Sequence, residues 1–109
     1  MTNQEAFTKM VLHLRAQGHR SVSDTGLCIY RAKDGAMCAV GCLIPDDEYV
    51  SEMENSHVCV LTDRFKISAL QGLDDSLLMN MQDIHDRYRP ETWEFHFARV
   101  AESHDLTLP

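Results

Sequence analysis

The sequence has no apolar run that approaches the roughly 20 residues needed by a membrane-spanning helix. It also lacks a recognisable signal peptide, because residues 1–5 carry neither a basic start nor an apolar stretch. We therefore expect a cytoplasmic protein without a membrane partner. In that compartment the four cysteines should stay reduced, so a disulfide framework is not expected.

Glycine and proline are scarce, with five and three residues, and no repeat, low-complexity tract or linker interrupts the chain. The 109 residues are close to the commonest domain size, so we predict a single domain over residues 1–109. The glycines at 35, 41 and 72 stand singly, and no glycine-rich turn precedes a lysine. Nucleotide binding through a phosphate loop is therefore unsupported.

Positive charge is also in short supply. The formal net charge is −7, and residues 51–109 carry eleven Asp and Glu against five Lys and Arg. Such a surface repels phosphates, which disfavours direct binding of nucleic acid. It could meet a basic patch on another protein, or it could simply keep a small protein soluble.

Apolar residues spaced three and four apart predict three longer helices. The first covers residues 4–17, with Thr2 or Asn3 as cap and Gly18 as stop. A second covers residues 74–88, with Tyr88 on its apolar face, and a third begins at Pro90. The last two should form a helical hairpin.

Two apolar runs, residues 27–31 and 36–40, flank Lys33-Asp34-Gly35, which is typical of a β-hairpin. The predicted fold class is therefore α+β: a mainly helical small domain with one short antiparallel β-hairpin, at about residues 27–40, packed on three to four helices. Residues 38–44 fit a strand or a helical turn, and residues 57–61 a short third strand. Pro45 and the acids after it predict a helix start, and residues 62–70 a short helix.

The four cysteines, Cys28, Cys38, Cys42 and Cys59, raise the question of zinc. Structural zinc sites pair their ligands two to four residues apart, and only Cys38 and Cys42 meet that spacing. These thiols lie among apolar residues, where free cysteine behaves as a small buried hydrophobe. Packing is the favoured interpretation, and neither a metal nor a cofactor is predicted.

Enzymatic chemistry is not indicated by any pattern. Cysteine catalysis needs a base beside the thiol, and His85 is the best candidate because it borders an apolar helix face. No catalytic residue is assigned, because nothing in the sequence places His85 near Cys42. The acids at 46–48 lack the alternating ligands and central glycine of a calcium loop.

A protein-binding surface has better candidates. Phe95 lies about 160–200° around its helix from Trp93 and Phe97, so it is either an exposed aromatic or covered by another element. The predicted contact residues are this ring, its neighbour and the acidic run: Asp46, Asp47, Glu48, Glu94 and Phe95.

The segment Cys38-Ala39-Val40-Gly41-Cys42-Leu43-Ile44-Pro45-Asp46 follows Asp34-Gly35 at a short distance. It resembles a family of small uncharacterised proteins from bacteriophages and prophages. Members share a helix like residues 7–14, an Ile-His-Asp segment matched by residues 84–86, and a following tryptophan matched by Trp93. The resemblance covers most of the chain and implies a phage origin and a bacterial host cell, without implying an activity or a site.

Small phage accessory proteins often act by stoichiometric binding to host enzymes, replication factors or defence complexes. We therefore expect a non-enzymatic, phage-encoded accessory protein that binds a host protein, whose surface could be basic, as a host-takeover or anti-defence inhibitor. The alternative is a protein that sequesters a small molecule or nucleotide between the predicted hairpin and the C-terminal helices. A zinc- or cysteine-dependent enzyme is a third interpretation, and a homodimer is left open.

Overall fold

The first helix, α1, spans Asn3–Gln17 in a computed structural model that describes residues 1–109. Thr2 caps it: the Thr2 hydroxyl accepts from the Glu5 amide at 3.1 Å, and the Glu5 carboxylate accepts from the Thr2 amide at 2.8 Å. These bonds satisfy two amides that a helix start leaves unpaired. Gly18 ends the helix in the left-handed conformation, with φ 72°. The predicted helix, cap and stop are confirmed.

Two further helices form the C-terminal half. Asp74 caps α3, which spans Asp75–Arg87, and a short 3₁₀ turn at Pro90–Thr92 leads into α4, Trp93–Ser103. The apolar faces of α3 and α4 are buried against one another, which confirms the predicted helical hairpin, and α3 also packs against α1. The buried residues of these two helices are Leu77, Leu78, Met81, Ile84, His85, Trp93, Phe97, Val100 and Ala101.

The middle of the chain differs from its prediction. Residues expected to form a third strand at 57–61 instead begin α2, Val58–Arg64, and the helix predicted over 62–70 is replaced by the end of α2 and a 3₁₀ turn at Ser68–Leu70. Pro45 starts a single turn rather than a helix: its carbonyl accepts from the amides of Glu48 and Tyr49, and a separate 3₁₀ turn follows at Ser51–Met53. Short apolar runs fit strand and helix equally well, which explains these errors.

The predicted β-hairpin at residues 27–40 is absent, and the chain contains no strand or sheet. The turn around Asp34-Gly35 does form, with Gly35 at φ 91°, but the pairing stops at one isolated bridge between Arg31 and Met37. On the N-terminal side of this turn, Cys28 forms an isolated bridge with Val22, which precedes it in the chain. The fold class is therefore corrected from α+β to a small helical domain of four α-helices.

Glu54 provides the physical reason why the ladder does not extend. Its carboxylate accepts from the amides of Tyr30, at 2.9 Å, and Arg31, at 3.2 Å. In a longer hairpin the Tyr30 amide would donate to the Cys38 carbonyl. Here Glu54 binds that amide, and the Cys38 carbonyl accepts from the Cys42 amide at 3.1 Å instead.

Residues 38–44 pass through the centre of the molecule. Seven consecutive residues, Cys38, Ala39, Val40, Gly41, Cys42, Leu43 and Ile44, are buried, and the helical-turn interpretation is confirmed by a 3₁₀ turn at Gly41–Leu43. This segment packs beside α1, and the Val40 amide donates to the Gln82 side chain of α3.

None of the helices is both long and apolar enough to cross a lipid bilayer.

Candidate functional site

The four thiols do not form a metal site with one another. Cys38 and Cys42 are buried, Cys28 is half-buried, and Cys59 is exposed on α2. The Cys38 sulfur accepts from the Gly41 amide at 3.2 Å, and the Cys42 thiol donates to the Ala39 carbonyl at 3.0 Å. Burial raises the pKa of Cys42 to about 12 and raises that of Cys38 further, so both thiols are protonated at neutral pH. They occupy the core as the packing interpretation predicts.

Only one group of three or more Cys, His, Asp or Glu side chains brings its donor atoms together. Those atoms, from Cys28, His85 and Asp86, lie within 4.8 Å of one another. His85, the candidate base for Cys42 in the sequence, lies beside Cys28 in the fold. Nothing in the spacing of residues 28 and 85 indicates this contact, because the loop after α1 brings the two together.

His85 already uses both ring nitrogens. The Ser21 amide donates to Nε2 at 2.8 Å, so Nε2 carries no proton, and Nδ1 therefore donates to the Asp86 carboxylate at 2.7 Å. A neutral imidazole in this state has no free lone pair. It can neither accept the Cys28 proton nor ligate a metal unless the Ser21 amide loses its partner inside the protein.

Cys28 is not an activated nucleophile either. Burial, followed by the negative charge of Asp86, raises its pKa to about 11. A reactive cysteine needs the opposite, a positive neighbour that favours the thiolate. Cys28, His85 and Asp86 therefore have the composition of a catalytic triad but not its activated thiol. Their role is structural, because His85 links the loop that contains Ser21 to α3.

The predicted acidic contact residues are mostly bound within the chain. Arg31 donates to Asp46 at 2.6 Å, and Arg15 binds Glu94 through two nitrogens at 2.7 and 2.8 Å. Glu48 accepts from both the hydroxyl and the amide of Ser68, and these bonds hold the pKa of its carboxyl below the usual range. Of the four acids, only Asp47 is exposed without an ion pair.

Phe95, in contrast, lies on the surface with 63% of its area exposed. Its ring meets the edge of His96 at a centroid distance of 5.3 Å, and His96 stacks on Tyr88 at 3.6 Å. The Arg99 guanidinium lies over the Phe95 ring at 5.8 Å. Tyr88, Phe95, His96 and Arg99 are called the aromatic surface below.

Two members of this surface were missed by sequence reasoning, and one was misplaced. Tyr88 was predicted on the buried face of α3, but it follows the last helical residue and is 41% exposed. His96 and Arg99 lie one and four residues after Phe95 on α4, and that spacing could have identified them as its neighbours.

A cleft lies along α3. It measures about 390 Å³ and lies between the α3 side chains Met79, Gln82, Asp83, Asp86 and Arg87 and two loop segments, residues 28–30 and 54–58. These residues are called the α3 cleft below. Its position corresponds to the pocket expected between residues 27–40 and the C-terminal helices, although no hairpin forms one of its walls.

Comparison with protein families, with curated proteins and with solved structures finds no match to this chain.

Proposed function

We propose that this chain is a bacteriophage accessory protein that acts by stoichiometric binding to one protein of its bacterial host, through the aromatic surface. The observation that carries the proposal is the exposure of Phe95 within a continuous set of contacting rings, in which Phe95 meets His96 edge-on and His96 stacks on Tyr88. Aromatic side chains and arginine are enriched in the centres of protein interfaces, where they supply much of the binding energy.

The geometry of the aromatic surface favours binding at low entropic cost. Each ring is held by its neighbour, so less conformational freedom is lost when a partner covers them. Burying an exposed phenylalanine contributes about 1.5–3 kcal/mol from its apolar area. Phe95 alone could therefore account for roughly a tenfold to hundredfold gain in affinity.

Charge indicates the chemistry of the partner. The Arg99 guanidinium lies over the Phe95 ring, and neither it nor Arg89, next to Tyr88, takes part in an ion pair. The acids first expected to make the contact are mostly bound by Arg31, Arg15 and Ser68. We propose a partner that offers an apolar pocket to Phe95 and carboxylates to the two arginines.

The phage origin in this proposal is supported by the resemblance carried by residues 38–46. The structure accounts for that segment by packing, because residues 38–44 are buried. Since residues 38–44 serve the fold and perform no reaction, this motif is compatible with a protein that acts by binding. The protonated thiols and the fully bonded His85 also support binding over cysteine catalysis.

The test uses the full chain immobilised as bait in a lysate of the host bacterium, with Phe95→Ala as the variant and Leu27→Ala as the matched control. Leu27 is 64% exposed, almost the same fraction as Phe95, but it lies in the loop after α1. A partner retained by the wild-type protein is purified, and its affinity and stoichiometry are measured by isothermal titration calorimetry.

We expect one-to-one binding that Phe95→Ala weakens by roughly tenfold or more and that Leu27→Ala leaves within about twofold. Equal affinity of the Phe95→Ala and wild-type proteins for the purified partner would place the interface elsewhere and overturn the assignment. Retention of no stoichiometric host protein would overturn the proposal as a whole.

A further inference from the structure

We propose that the α3 cleft binds an organic cation: an ammonium or guanidinium group carried on an aliphatic chain. The cleft measures about 390 Å³, within the range of small-ligand pockets. Its residues belong to α3 and to two loop segments and include none of the aromatic surface. The inference therefore stands apart from the proposed host-protein contact.

The charge of the lining is the first argument. The lining includes three carboxylates, from Glu54, Asp83 and Asp86, against one guanidinium, from Arg87, and one imidazole, from His57. Arg87 approaches Asp83 only to 3.8 Å, and its side chain is 74% exposed, so it screens the cleft weakly. Asp83 is also 55% exposed, so the attraction for an incoming cation comes mainly from the two less exposed carboxylates, Glu54 and Asp86. In this partly enclosed region of net negative charge, opposite charges attract more strongly than in bulk water.

Two of the carboxylates are held in place before any ligand arrives. Glu54 accepts from the Tyr30 and Arg31 amides and from the Tyr49 hydroxyl, and none of these donors is a cation. Its negative charge is therefore oriented but not neutralised. Carboxylates fixed in this way lose little further freedom on binding a cation.

Asp86 is held in the same manner through one oxygen. Its Oδ1 accepts from His85 Nδ1 at 2.7 Å and from Gln82 Nε2 at 3.0 Å, and the other protein donor beside the carboxylate is the weak Cys28 thiol. The side chain is 35% exposed. An ammonium or guanidinium donor could reach Oδ2 in a charge-assisted hydrogen bond without breaking the existing network.

The walls suit an aliphatic stem. Ile29, Val58 and Met79 contribute apolar surface, and Met79 is 39% exposed. The half-buried Cys28 thiol stays neutral and so adds no charge to the lining. A straight-chain amine can cover such surface while its charged end meets the carboxylates.

Other ligand classes fit less well. A metal ion needs several donors around one point, and the only three that converge are those of Cys28, His85 and Asp86, where both imidazole nitrogens are engaged. A nucleotide would bring phosphates against three carboxylates. The lining therefore does not favour a nucleotide, which the sequence allowed only under the alternative interpretation of a small-molecule or nucleotide sequestering protein.

The experiment titrates agmatine, which has a guanidinium and an ammonium on a four-carbon chain, into the ¹⁵N-labelled full chain and follows amide chemical shifts by NMR. We expect saturable shifts confined to residues 28–30, 54–58 and 79–87. The double variant Asp83→Asn/Asp86→Asn should weaken binding by about tenfold or more. The matched control Asp47→Asn/Asp63→Asn removes the same charge outside the cleft and should change affinity less than about twofold.

Two further ligands separate the sources of the cation. Binding of acetyl-Ala-Arg-Ala-amide as tight as that of agmatine would identify a peptide arginine as the occupant, whereas binding of agmatine alone would identify a free amine. The neutral analogue 1-pentanol should cause no saturable shift. Asp83→Asn alone serves as the variant if the double variant does not fold, because the Asp83 side chain is 55% exposed and its one ion pair, with Arg87, is long at 3.8 Å.

Three results would overturn the proposal: no saturable shift with about 10 mM agmatine, equal weakening by the cleft and control double variants, or equal shifts with 1-pentanol. None of these results bears on the proposed function, because the α3 cleft and the aromatic surface share no residue. Loss of host-protein binding in Phe95→Ala together with unchanged agmatine binding would show that the two surfaces are separate.

Discussion

At the scale of single residues, burial decides what the four thiols do. Cys38 has no exposed area and Cys42 has 9%, whereas Cys59 is exposed. A buried sulfur contributes transfer free energy and close packing, which an exposed one does not. The two buried thiols are also hydrogen-bonded within their own segment, so they are fixed parts of the core.

We predict that Cys38→Ala lowers the free energy of unfolding by about 1–3 kcal/mol, because it leaves a small cavity and removes the acceptor of the Gly41 amide. Cys59→Ala is the matched control and should change stability by less than about 0.5 kcal/mol. Urea denaturation followed by circular dichroism measures both. Equal losses in the two variants would contradict the packing role of Cys38.

His85 is the other residue whose environment determines its role. It has no exposed area, and its Nε2 is the acceptor for the amide of Ser21, a residue that is also fully buried. The two positions are 64 residues apart in sequence. The imidazole thus fastens the loop after α1 to α3, and its ring packs near Trp93 at a centroid distance of 6.1 Å.

We expect His85→Phe to lower the free energy of unfolding by about 1–3 kcal/mol, because the Ser21 amide is left buried without an acceptor and a slightly larger ring must fit the same site. His19→Phe, at an exposed histidine, is the control and should have little effect on stability. Thermal unfolding of the purified variants measures the difference. A His85→Phe protein as stable as the wild type would show that the hydrogen bond between Ser21 and His85 contributes nothing to stability.

At the scale of elements, residues 38–44 turn where a strand would continue, and Gly41 makes that turn fit. A Cβ atom at this position would overlap the carbonyl oxygen of Tyr30 and lie 3.1 Å from the Cys38 sulfur. The Tyr30 carbonyl accepts the Cys38 amide at 3.2 Å, so this oxygen is anchored in place. The close approach of two backbone segments requires glycine here.

Gly41→Ala should therefore cost at least about 4 kcal/mol or prevent folding, because the colliding atom belongs to the backbone and cannot move aside as a side chain does. Amide dispersion in an NMR spectrum and the melting temperature report the outcome. A folded Gly41→Ala protein with a wild-type melting temperature would contradict the packing explanation of this motif.

Helices α1, α3 and α4 could be predicted because their signals are local. The Thr2 cap, the Gly18 stop and the apolar stripe of α1 all lie within one segment, and each has a physical reason to act there. The hairpin could not be predicted correctly, because the Tyr30 amide, its next ladder donor, is bound by Glu54 from another part of the chain. Its Asp-Gly turn formed, but a turn alone does not make a ladder.

At the scale of the whole molecule, the raised pKa values act together. Burial raises the pKa of Cys28, Cys38, Cys42 and Tyr30, and burial followed by Glu54 raises that of Tyr49 to about 12. The unfolded chain releases its thiol protons near 9.0, while the folded chain retains them to higher pH. Above that pH the unfolded state binds fewer protons, so the free energy of unfolding falls as pH rises.

We predict that the melting temperature falls progressively from about pH 9 upward. The decline should be shallower in the double variant Cys38→Ala/Cys42→Ala, because it lacks two of the titrating groups. Differential scanning calorimetry between about pH 7 and pH 11 measures both curves. Parallel curves for the two proteins would show that the thiols titrate alike in the folded and unfolded states.

The sequence by itself determined the three longer helices, the packing role of Cys38 and Cys42, and the choice of Phe95 as a candidate contact, since periodicity, capping and local composition act over a few residues. Tertiary structure alone decided the loss of the hairpin, the meeting of Cys28 with His85 and Asp86, the exposure of Phe95 beside Tyr88, and the α3 cleft. Those features depend on hydrogen bonds and contacts between distant parts of the chain, such as the bond between Ser21 and His85. No local sequence pattern specifies which backbone donor in a loop pairs with which distant acceptor.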